Sequence, residues 1–372
     1  MRILFAGGGT GGHLYPALAV ARALVRLAPE VQPYFLGASR GIERDILPNA
    51  GFQYTLLDLY PLYRSRPWRN WRTMVGLAQA MRQIRALAAK EPPRLTFATG
   101  GYASSAALLY SRWRGLPFVL QEANSFPGQT IRWFSGSARE IYVGFPEAIQ
   151  ALPASVRARA TDTGNPIEPP PALRAPREEA MRQWDLPPND RVLLVFGGSQ
   201  GSAALNAAVD AWLARGIPPG WSVIWATGRE HFAKHAARAS AHVVVRPYLA
   251  PIAEAYAVSS LALTRAGAMT TAELCAWGVP MILVPLPTAA ADHQTANARA
   301  LAEAGAAQWV RQSDLSVERI DATVRGLSQQ PGALDALAAG ARARARPTAA
   351  AEIAQRLLAI LRPARATVNT ST

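Results

Sequence analysis

The sequence contains a single cysteine, few histidines and no long apolar run. Cys275 stands alone among 372 residues, which excludes an internal disulfide, and the five scattered histidines predict no metal site. No run approaches the roughly 18 apolar residues that a membrane-spanning helix needs, and the apolar segment after Met1 is too short for the core of a signal peptide. We therefore expect a protein of the reducing cytoplasm that does not span a membrane.

Lysine is also scarce, and arginine supplies nearly all of the positive charge. The chain has 39 Lys+Arg against 25 Asp+Glu, and Lys90 and Lys234 are its only lysines. Residues 1–163 hold 19 basic and 9 acidic side chains, whereas residues 164–372 hold 20 and 16. Arginine suits phosphate recognition, so we expect an anionic partner. Composition alone fits nucleic acid, anionic lipid and a phosphorylated substrate equally well.

Short apolar runs, glycine-rich turns and long Ala/Leu/Arg stretches alternate along the whole chain. This alternation predicts βα units and a doubly wound parallel sheet in each half, an α/β fold. The predicted strands cover residues 3–6, 31–36, 95–99, 118–121 and 141–143 in the first half and 192–196, 223–226, 243–245, 261–263 and 281–284 in the second. Helices are expected over 16–27, 71–90 and 348–361.

Three consecutive prolines, Pro169, Pro170 and Pro171, mark a stiff connection between the halves. We expect an N-terminal domain over residues 1–163 and a second domain over 164–345. Residues 346–363 are expected to form a helix that packs back on the first domain. Residues 364–372 are expected to be a disordered tail.

Three glycine-rich turns follow predicted strands, at residues 7–13, 99–105 and 197–202. Open α/β sheets bind ligands at the carboxyl ends of their strands, and exposed amides before a helix favour phosphate. The first turn also fits the G-x-G-x-x-G pattern of dinucleotide-binding proteins. The acid which that pattern requires after the second strand is absent, since Gly37-Ala38-Ser39 stands there. Tight turns without a ligand remain the alternative.

Polar residues beside these turns are candidates for chemistry. His13 stands where the first turn meets a helix, whose positive end favours a neutral imidazole that can accept a proton; alternatively it is a solvated polar residue. Segment 265–273 runs from a strand into a helix. The amides at 268–270 would hold phosphates, while Glu273 would accept hydrogen bonds from ribose hydroxyls. Otherwise Glu273 is a first-turn acid that interacts with the helix dipole. Residues 292–297 suit sugar hydroxyls, unless Asp292 is only a helix cap.

Together these motifs resemble the MurG family of N-acetylglucosaminyltransferases over nearly the whole chain. The matching segments are 8–13 with Pro16, 100–102, 164–166, 197–201 with Asn206, 265–273, and 294–297 leading into 304–307. The resemblance implies a GT-B architecture, two Rossmann-like doubly wound domains that face a cleft. It also implies a role in peptidoglycan synthesis, with no cofactor and no metal ion.

The implied reaction is an inverting transfer of N-acetylglucosamine from UDP-GlcNAc to undecaprenyl-diphosphate-linked MurNAc-pentapeptide (lipid I), which gives lipid II. His13 is the candidate base for the C4 hydroxyl of MurNAc, and Glu122 is the second candidate or its partner. The residues implied to bind UDP-GlcNAc are Thr10, Gly11, Gly12, Asn124, Ser199, Leu249, Ala268, Met269, Thr270, Glu273 and Gln294. Those implied to bind the acceptor are Gly9, Gly101, Tyr102 and Ser104.

Several positions depart from the family pattern. Gln121 and Ala123 replace the histidine and glutamine of the usual His-Glu-Gln-Asn, and Ser105-Ala106 replaces a usual Gly-Pro. Glu168 stands where the family commonly has an arginine that contacts the donor. Because a carboxylate cannot replace a guanidinium that binds phosphate, another arginine is needed, and Arg265 is a candidate.

The segment 59–94 carries eight basic side chains and one acid, interleaved with tryptophan and tyrosine. Such a surface suits a peripheral protein on an anionic membrane, here the cytoplasmic face of the plasma membrane, or else it is a solvated helix face. If it binds membrane, changing Arg64, Arg66, Arg69 and Arg72 to glutamate lowers binding to anionic vesicles.

Two other classes of function remain open. The first is another GT-B enzyme with the same donor, either a lipid glycosyltransferase with a different acceptor or a UDP-GlcNAc epimerase, although an epimerase does not need the basic aromatic segment. A nucleic-acid-binding protein explains the charge and the interleaved aromatics. It does not explain the strand-end turns in both halves, so we expect no nucleic acid partner.

Overall fold

The computed structural model describes residues 1–60, 68 and 70–362, and it divides into two compact units. Unit 1 comprises Met1–Ala123, Pro127–Ile167 and the chain from Thr348 onward, and unit 2 comprises Asn124–Phe126 and Glu168–Pro347. Unit 1 thus runs to Ile167, just beyond the predicted boundary. Arg64, Arg66, Arg69 and the predicted tail at 364–372 lie outside the described residues.

Unit 1 contains a parallel sheet with helices on both faces. Its described strands are β1 Arg2–Gly7, β2 Gln32–Ala38, β3 Gln53–Leu57, β4 Pro93–Gly100, β5 Phe118–Glu122, β6 Glu140–Val143 and β7 Ala160–Asp162. Its helices before the crossing to unit 2 are α1 Gly11–Leu27, α2 Glu43–Ile46, α3 Asn70–Lys90, α4 Ser105–Arg114, α5 Gln129–Phe134 and α6 Glu147–Ala151. The strand order is β3-β2-β1-β4-β5-β6-β7, so the winding reverses between β1 and β4.

Unit 2 repeats this design. Its described strands are β8 Arg191–Phe196, β9 Trp221–Ala226, β10 Val243–Arg246, β11 Leu261–Thr264, β12 Met281–Leu283 and β13 Ala307–Trp309. Its helices are α7 Arg177–Arg182, α8 Ala203–Ala214, α9 Phe232–His235, α10 Ala253–Val258, α11 Ala268–Trp277, α12 His293–Glu303, α13 Val317–Gln329 and α14 Ala333–Arg344. The parallel order β10-β9-β8-β11-β12-β13 reverses between β8 and β11.

The predicted fold class, a doubly wound parallel sheet in each half, is confirmed. Every position of the central strand β1 is buried, as expected for a strand that helices cover on both sides. The strands β3, β7 and β13 were not predicted. They lie at or near a sheet edge and have partly exposed positions, so their sequences lack the continuous apolar run that marks a central strand.

Helix α1 begins at Gly11 rather than near Pro16. Pro16 lies inside the helix, where its fixed φ is compatible with helical backbone, and its missing N–H deprives only the carbonyl of Gly12 of a hydrogen bond. This earlier start places His13 in the first helical turn. The histidine is therefore held by helical backbone and not by a loose turn.

A last helix, α15 Ala349–Leu361, belongs to unit 1 although unit 2 precedes it in the chain. Its side chains Ile353, Ala354 and Leu357 are fully buried in the cluster that also contains α1. α1 has buried residues almost all round its circumference, which a helix that packs on one face only does not show. The sheet covers one face of α1, and α15 covers another.

Replacing Leu357 with alanine should destabilise unit 1. Loss of a fully buried leucine costs about 2–5 kcal/mol through lost burial and the cavity that remains. We expect faster hydrogen exchange in peptides from β1 and α1, measured by mass spectrometry. The control is Leu173→Ala, because Leu173 is 91% exposed and its truncation should change little. Equal exchange in the two variants would contradict the packing of α15.

Candidate active site

The two glycine-rich turns of unit 1 lie side by side at the carboxyl end of its sheet. One follows β1 and the other follows β4, and these strands are neighbours where the winding reverses. A Cβ atom on Gly101 would clash with the carbonyl of Gly8, and one on Gly9 would lie 2.7 Å from the ring of Tyr102. Glycine at these positions therefore lets the two turns pack against each other at the place where such sheets bind ligands.

His13 is tied to the end of β4 by two reciprocal hydrogen bonds. Its Nδ1 lies 2.9 Å from the carbonyl oxygen of Thr99, and the hydroxyl of Thr99 donates to the carbonyl of His13 at 2.6 Å. A carbonyl only accepts, so Nδ1 carries the hydrogen and Nε2 carries the lone pair of the neutral ring. The fold thus selects the tautomer in which Nε2 is the basic atom.

A buried carboxylate, Glu43 of α2, lies beneath the first turn. Glu43 is fully buried, and its Oε1 accepts hydrogen bonds from the amides of Gly9 at 2.9 Å and Ala38 at 3.0 Å. A Cβ atom on Gly8 or Gly41 would clash with its carboxylate. Sequence reasoning missed Glu43, because an acid on a four-residue helix gives no sign that it points inward.

Glu43 changes what the first turn can bind. The amide of Gly9 is committed to the carboxylate, and a negative charge behind the turn opposes a phosphate on that amide. The prediction that the amides of this turn form a phosphate cradle is therefore wrong at Gly9. Thr10 and Gly12 are exposed and Gly11 partly so at the start of α1, where the helix end still favours electronegative ligand atoms.

The second turn presents Gly101 and Tyr102 but not Ser104. Gly101 and Tyr102 are partly exposed, whereas Ser104 is fully buried and its hydroxyl donates to the carbonyl of Gly101 at 2.9 Å. Ser104 therefore shapes the turn. Of the predicted acceptor contacts, Tyr102 has the side chain that a ligand can reach.

Glu122, the second candidate base, is held at the end of β5. It is 3% exposed, and its Oε2 accepts a hydrogen bond from the amide of Gly128 at 2.7 Å. Gln121, one of the departures from the family pattern, donates to Asn165 at 3.0 Å in the core. Asn165 in turn donates to the carbonyl of Ala123 at 2.8 Å, so Gln121 has become part of a buried network.

The reversal point of unit 2, between β8 and β11, carries the other predicted turn and the start of α11. Ser199 is exposed in the turn after β8. α11 begins at Ala268 after Gly267, which has no side chain to cap it. The first amides of a helix lack partners in their own helix and its dipole favours anions, so residues 268–270 present a site suited to phosphate. Leu249, after β10, is buried.

Glu273 lies in the second turn of α11, so its interpretation as a first-turn acid is wrong. Its carboxylate accepts a hydrogen bond from the hydroxyl of Tyr256 at 2.8 Å. Burial raises the pKa of Glu273, and the hydrogen bond from Tyr256 opposes that rise. The side chain is only partly buried, so a ligand can still reach it.

Arg265 does not replace the arginine that is missing at position 168. It is 8% exposed, and its guanidinium faces inward. It donates to the carbonyls of Val284 and Pro285 at 3.1 and 3.2 Å, to the hydroxyl of Ser202 at 2.7 Å and to the side chain of Gln312 at 2.6 Å. Burial lowers its pKa. Arg265 thus joins the strand ends of unit 2.

The segment Asn124–Phe126 belongs to unit 2 because Asn297 holds it. Asn297 is fully buried, accepts from the amide of Ser125 at 2.9 Å and donates to the side-chain oxygen of Asn124 at 3.1 Å. The suggestion that Asn297 contacts sugar hydroxyls is therefore wrong, and the residue positions Asn124 instead.

Gln294 and Asp292, at the start of α12, are oriented by local hydrogen bonds. Oε1 of Gln294 accepts from the amide of Leu286 at 2.9 Å, so the NH₂ group of the carboxamide is the part left to face a ligand. Asp292 makes no side-chain cap hydrogen bond to the helix backbone. It accepts from the hydroxyl of Thr295 at 2.6 Å, so the capping alternative is wrong.

Family models match both units. The N-terminal domain model of glycosyltransferase family 28 matches residues 3–143, and the C-terminal domain model matches residues 192–357. An enzyme of Moorella thermoacetica is 35% identical, over 96% of this chain and 98% of its own length. It is named UDP-N-acetylglucosamine–N-acetylmuramyl-(pentapeptide) pyrophosphoryl-undecaprenol N-acetylglucosamine transferase. An enzyme of the same name from Chlorobaculum parvum is 36% identical, over 97% of this chain and 99% of its own length. Another from Salinibacter ruber is 37% identical, over 96% of each chain.

The chain belongs to the MurG family. The crystal structure of Acinetobacter baumannii MurG matches with a TM-score of 0.75 at 27% identity, covering 96% of this chain and 99% of that one. A UDP-GlcNAc 2-epimerase from Neisseria meningitidis matches with a TM-score of 0.67 at 13% identity, covering 96% and 100%, which shows a shared fold only. The chain is thus a hexosyltransferase with the GT-B fold that MurG proteins have.

Removing the carboxylate of Glu43 should loosen the first turn. In Glu43→Ala the part-buried amide of Gly9 and the buried amide of Ala38 lose their acceptor, and leaving a buried amide unsatisfied costs about 1–3 kcal/mol. We expect a lower melting temperature and faster hydrogen exchange across residues 7–13.

The matched control is Asp45→Ala, two positions along the same helix. Asp45 is exposed and pairs only with its neighbour Arg44 among the described residues, and such a surface pair contributes little. If Asp45→Ala exposed the turn to exchange as much as Glu43→Ala does, the buried carboxylate would have no special role.

Proposed function

We propose that this chain transfers N-acetylglucosamine from UDP-GlcNAc to the C4 hydroxyl of MurNAc in lipid I, releasing UDP and forming lipid II with inversion at the anomeric carbon. The observation that carries the proposal is its similarity, over nearly its full length, to enzymes whose names state this donor sugar and this acceptor. The solved structures named as UDP-N-acetylglucosamine 2-epimerases share the fold at identities of 13–15%, which gives no support for epimerase activity.

Unit 2 provides a donor site whose parts match the parts of UDP-GlcNAc. The amides of residues 268–270 and the exposed Ser199 would hold the diphosphate, and the backbone of Leu249 would contact the uracil. Glu273 would accept hydrogen bonds from the ribose hydroxyls. Gln294 and Asn124 would hydrogen-bond the sugar, Gln294 through its NH₂ group. This site binds the anion with helix-end amides and not with an arginine, in keeping with Glu168 and the inward-facing Arg265.

Unit 1 provides the base and the acceptor contacts. Nε2 of His13 would take the proton of the C4 hydroxyl of MurNAc. The oxygen of that hydroxyl would bond to the anomeric carbon as UDP leaves. The bond from Nδ1 to the carbonyl of Thr99 stabilises the imidazolium that forms and keeps the ring in place. Gly9, Gly101 and Tyr102 would line the acceptor, and Thr10, Gly11 and Gly12 would approach the donor sugar.

The base is assigned to His13 rather than Glu122 because their surroundings differ. The imidazole is partly exposed, and its tautomer leaves Nε2 basic. Glu122 is nearly fully buried and accepts the amide of Gly128. We propose that Glu122 holds the loop that leads to Asn124, and that no bound metal ion is needed because amides at the start of α11 stabilise the leaving UDP.

His13→Gln should lower kcat for transfer of radiolabel from UDP-GlcNAc to a lipid I analogue. Loss of a positioned general base costs about 100- to 10,000-fold, while KM for UDP-GlcNAc should stay within about threefold. The control is His242→Gln, because His242 is exposed in unit 2 and has no assigned role. A His13→Gln enzyme with wild-type kcat would disprove the base assignment, and a wild-type enzyme that transfers no label would disprove the function.

We propose further that unit 1 binds the anionic cytoplasmic face of the plasma membrane through α3. No helix in the described part of the chain is long and apolar enough to span a bilayer. α3 buries a stripe of small and apolar residues, Gly76, Ala80, Ile84 and Ala88. Its opposite side exposes Trp71, Met74 and Val75 at 62%, 62% and 48%, next to Trp68 at 71%. Exposed aromatics beside arginines suit a headgroup layer.

Changing Arg72, Arg82 and Arg85 to glutamate should weaken binding to phosphatidylglycerol-containing vesicles at least about tenfold, since each basic residue near such a surface contributes about 1 kcal/mol. All three are exposed on α3. Activity on a soluble acceptor should be unchanged. Vesicle sedimentation measures the binding.

The control reverses three exposed arginines of unit 2: Arg182, Arg311 and Arg319. This variant has the same net charge as the α3 variant, so a purely global charge effect would weaken both equally. That result would exclude α3 as the membrane surface.

A further inference from the structure

Tyr256 is a buried tyrosine to which the proposed function assigns no role. It lies in α10 and is 3% exposed, so a ligand does not reach it directly. Its hydroxyl donates to Oε2 of Glu273 at 2.8 Å. Burial and the neighbouring carboxylate raise its pKa well above the ordinary value, so the phenol stays protonated and remains a donor.

The ring of Tyr256 is fixed by aromatic neighbours on two other elements. Its centroid lies 6.2 Å from that of Phe196, the last residue of β8, and 6.2 Å from that of Trp277, the last residue of α11. Aromatic pairs at this separation resist reorientation. The hydroxyl is therefore held at a defined point relative to the strand end and to the helix that carries Glu273.

The carboxylate of Glu273 has one oxygen that is held and one that is not. Within the described ranges the only hydrogen bond to the side chain comes from Tyr256, and it reaches Oε2. The residue is partly exposed, so Oε1 can meet a ligand. A glutamate side chain has three rotatable bonds, and ordering it costs entropy at the moment of binding. The phenol reduces that cost in advance.

We propose that Tyr256 is a positioning residue for nucleoside diphosphate binding, whose hydroxyl holds the Glu273 carboxylate in the orientation that receives the ribose hydroxyls. The inference rests on the proposed function in one respect, the assignment of Glu273 to the ribose. It adds a residue that acts through Glu273 and touches neither substrate.

The test compares UDP with 2′-deoxy-UDP by calorimetry, in wild type and in Tyr256→Phe. Losing a hydrogen bond to a charged group should weaken UDP binding about tenfold. 2′-Deoxy-UDP lacks one of the hydroxyls that Glu273 receives, so its affinity should fall less, and the wild-type preference for UDP should shrink at least about threefold. KM for UDP-GlcNAc should rise in step with the UDP dissociation constant while kcat stays within about twofold.

The chain offers a matched control, Tyr142→Phe. Tyr142 is a fully buried tyrosine on β6 of unit 1, and its hydroxyl donates to the carboxylate of Glu140 at 3.0 Å. This variant removes the same kind of hydrogen bond in a place with no assigned role in binding UDP. It should lower stability comparably and leave both nucleotide affinities unchanged.

A double-mutant cycle with Glu273→Ala completes the experiment. If Tyr256 acts through Glu273, Tyr256→Phe should add little to the loss in UDP affinity that Glu273→Ala already causes. The inference would be overturned if Tyr256→Phe kept the full wild-type preference for UDP over 2′-deoxy-UDP. It would also be overturned if Tyr256→Phe lowered UDP affinity equally in wild type and in Glu273→Ala. Either result would leave the ribose assignment intact. A wild-type enzyme without preference for UDP would overturn the inference together with the ribose assignment.

Discussion

The reversal of winding in each parallel sheet is the constraint on which the candidate site depends. Neighbouring parallel strands end at the same edge, and helices leave that edge in opposite directions where the strand order reverses. In unit 1 this occurs between β1 and β4, which brings His13 against Gly100 and Gly101. In unit 2 it occurs between β8 and β11, which brings Ser202 to Arg265. Residues far apart in sequence meet because the strands that they follow are neighbours and end at the same edge of the sheet.

Buried Glu43 and Arg265 hold these strand ends in shape through the hydrogen bonds that they make. Glu43 accepts two amides beneath the first turn, and Arg265 donates to four oxygens between the strand ends of unit 2. Burial of an unpaired charge costs several kcal/mol, so such residues persist where hydrogen bonds compensate them. The group that we propose to meet a ligand in unit 1 is Nε2 of His13, and those in unit 2 are the first amides of α11, the NH₂ of Gln294 and the outer oxygen of Glu273.

The sequence was sufficient for the sheets and the positions of the turns, because apolar runs followed by glycines depend on local chemistry. It was insufficient for β3, β7 and β13, whose partly exposed positions weaken the apolar signal. It also placed the start of α1 too late, because a proline inside a helix looks like a helix start. The orientation of polar side chains could not be predicted from the sequence, because nothing local distinguishes the inward-facing Glu43 and Arg265 from the exposed Asp45 and Arg311. Family resemblance supplied the reaction and most of the site residues.

The fate of the sugar in the wild-type reaction tests the proposed transfer to lipid I most directly. With UDP-[¹⁴C]GlcNAc and lipid I in detergent micelles, we expect label to enter the lipid fraction, one UDP to be released for each sugar transferred, and NMR of the product to show a β-linkage to C4 of MurNAc. Label that remains in a water-soluble sugar, or a product that keeps the α-configuration of the donor, would contradict it.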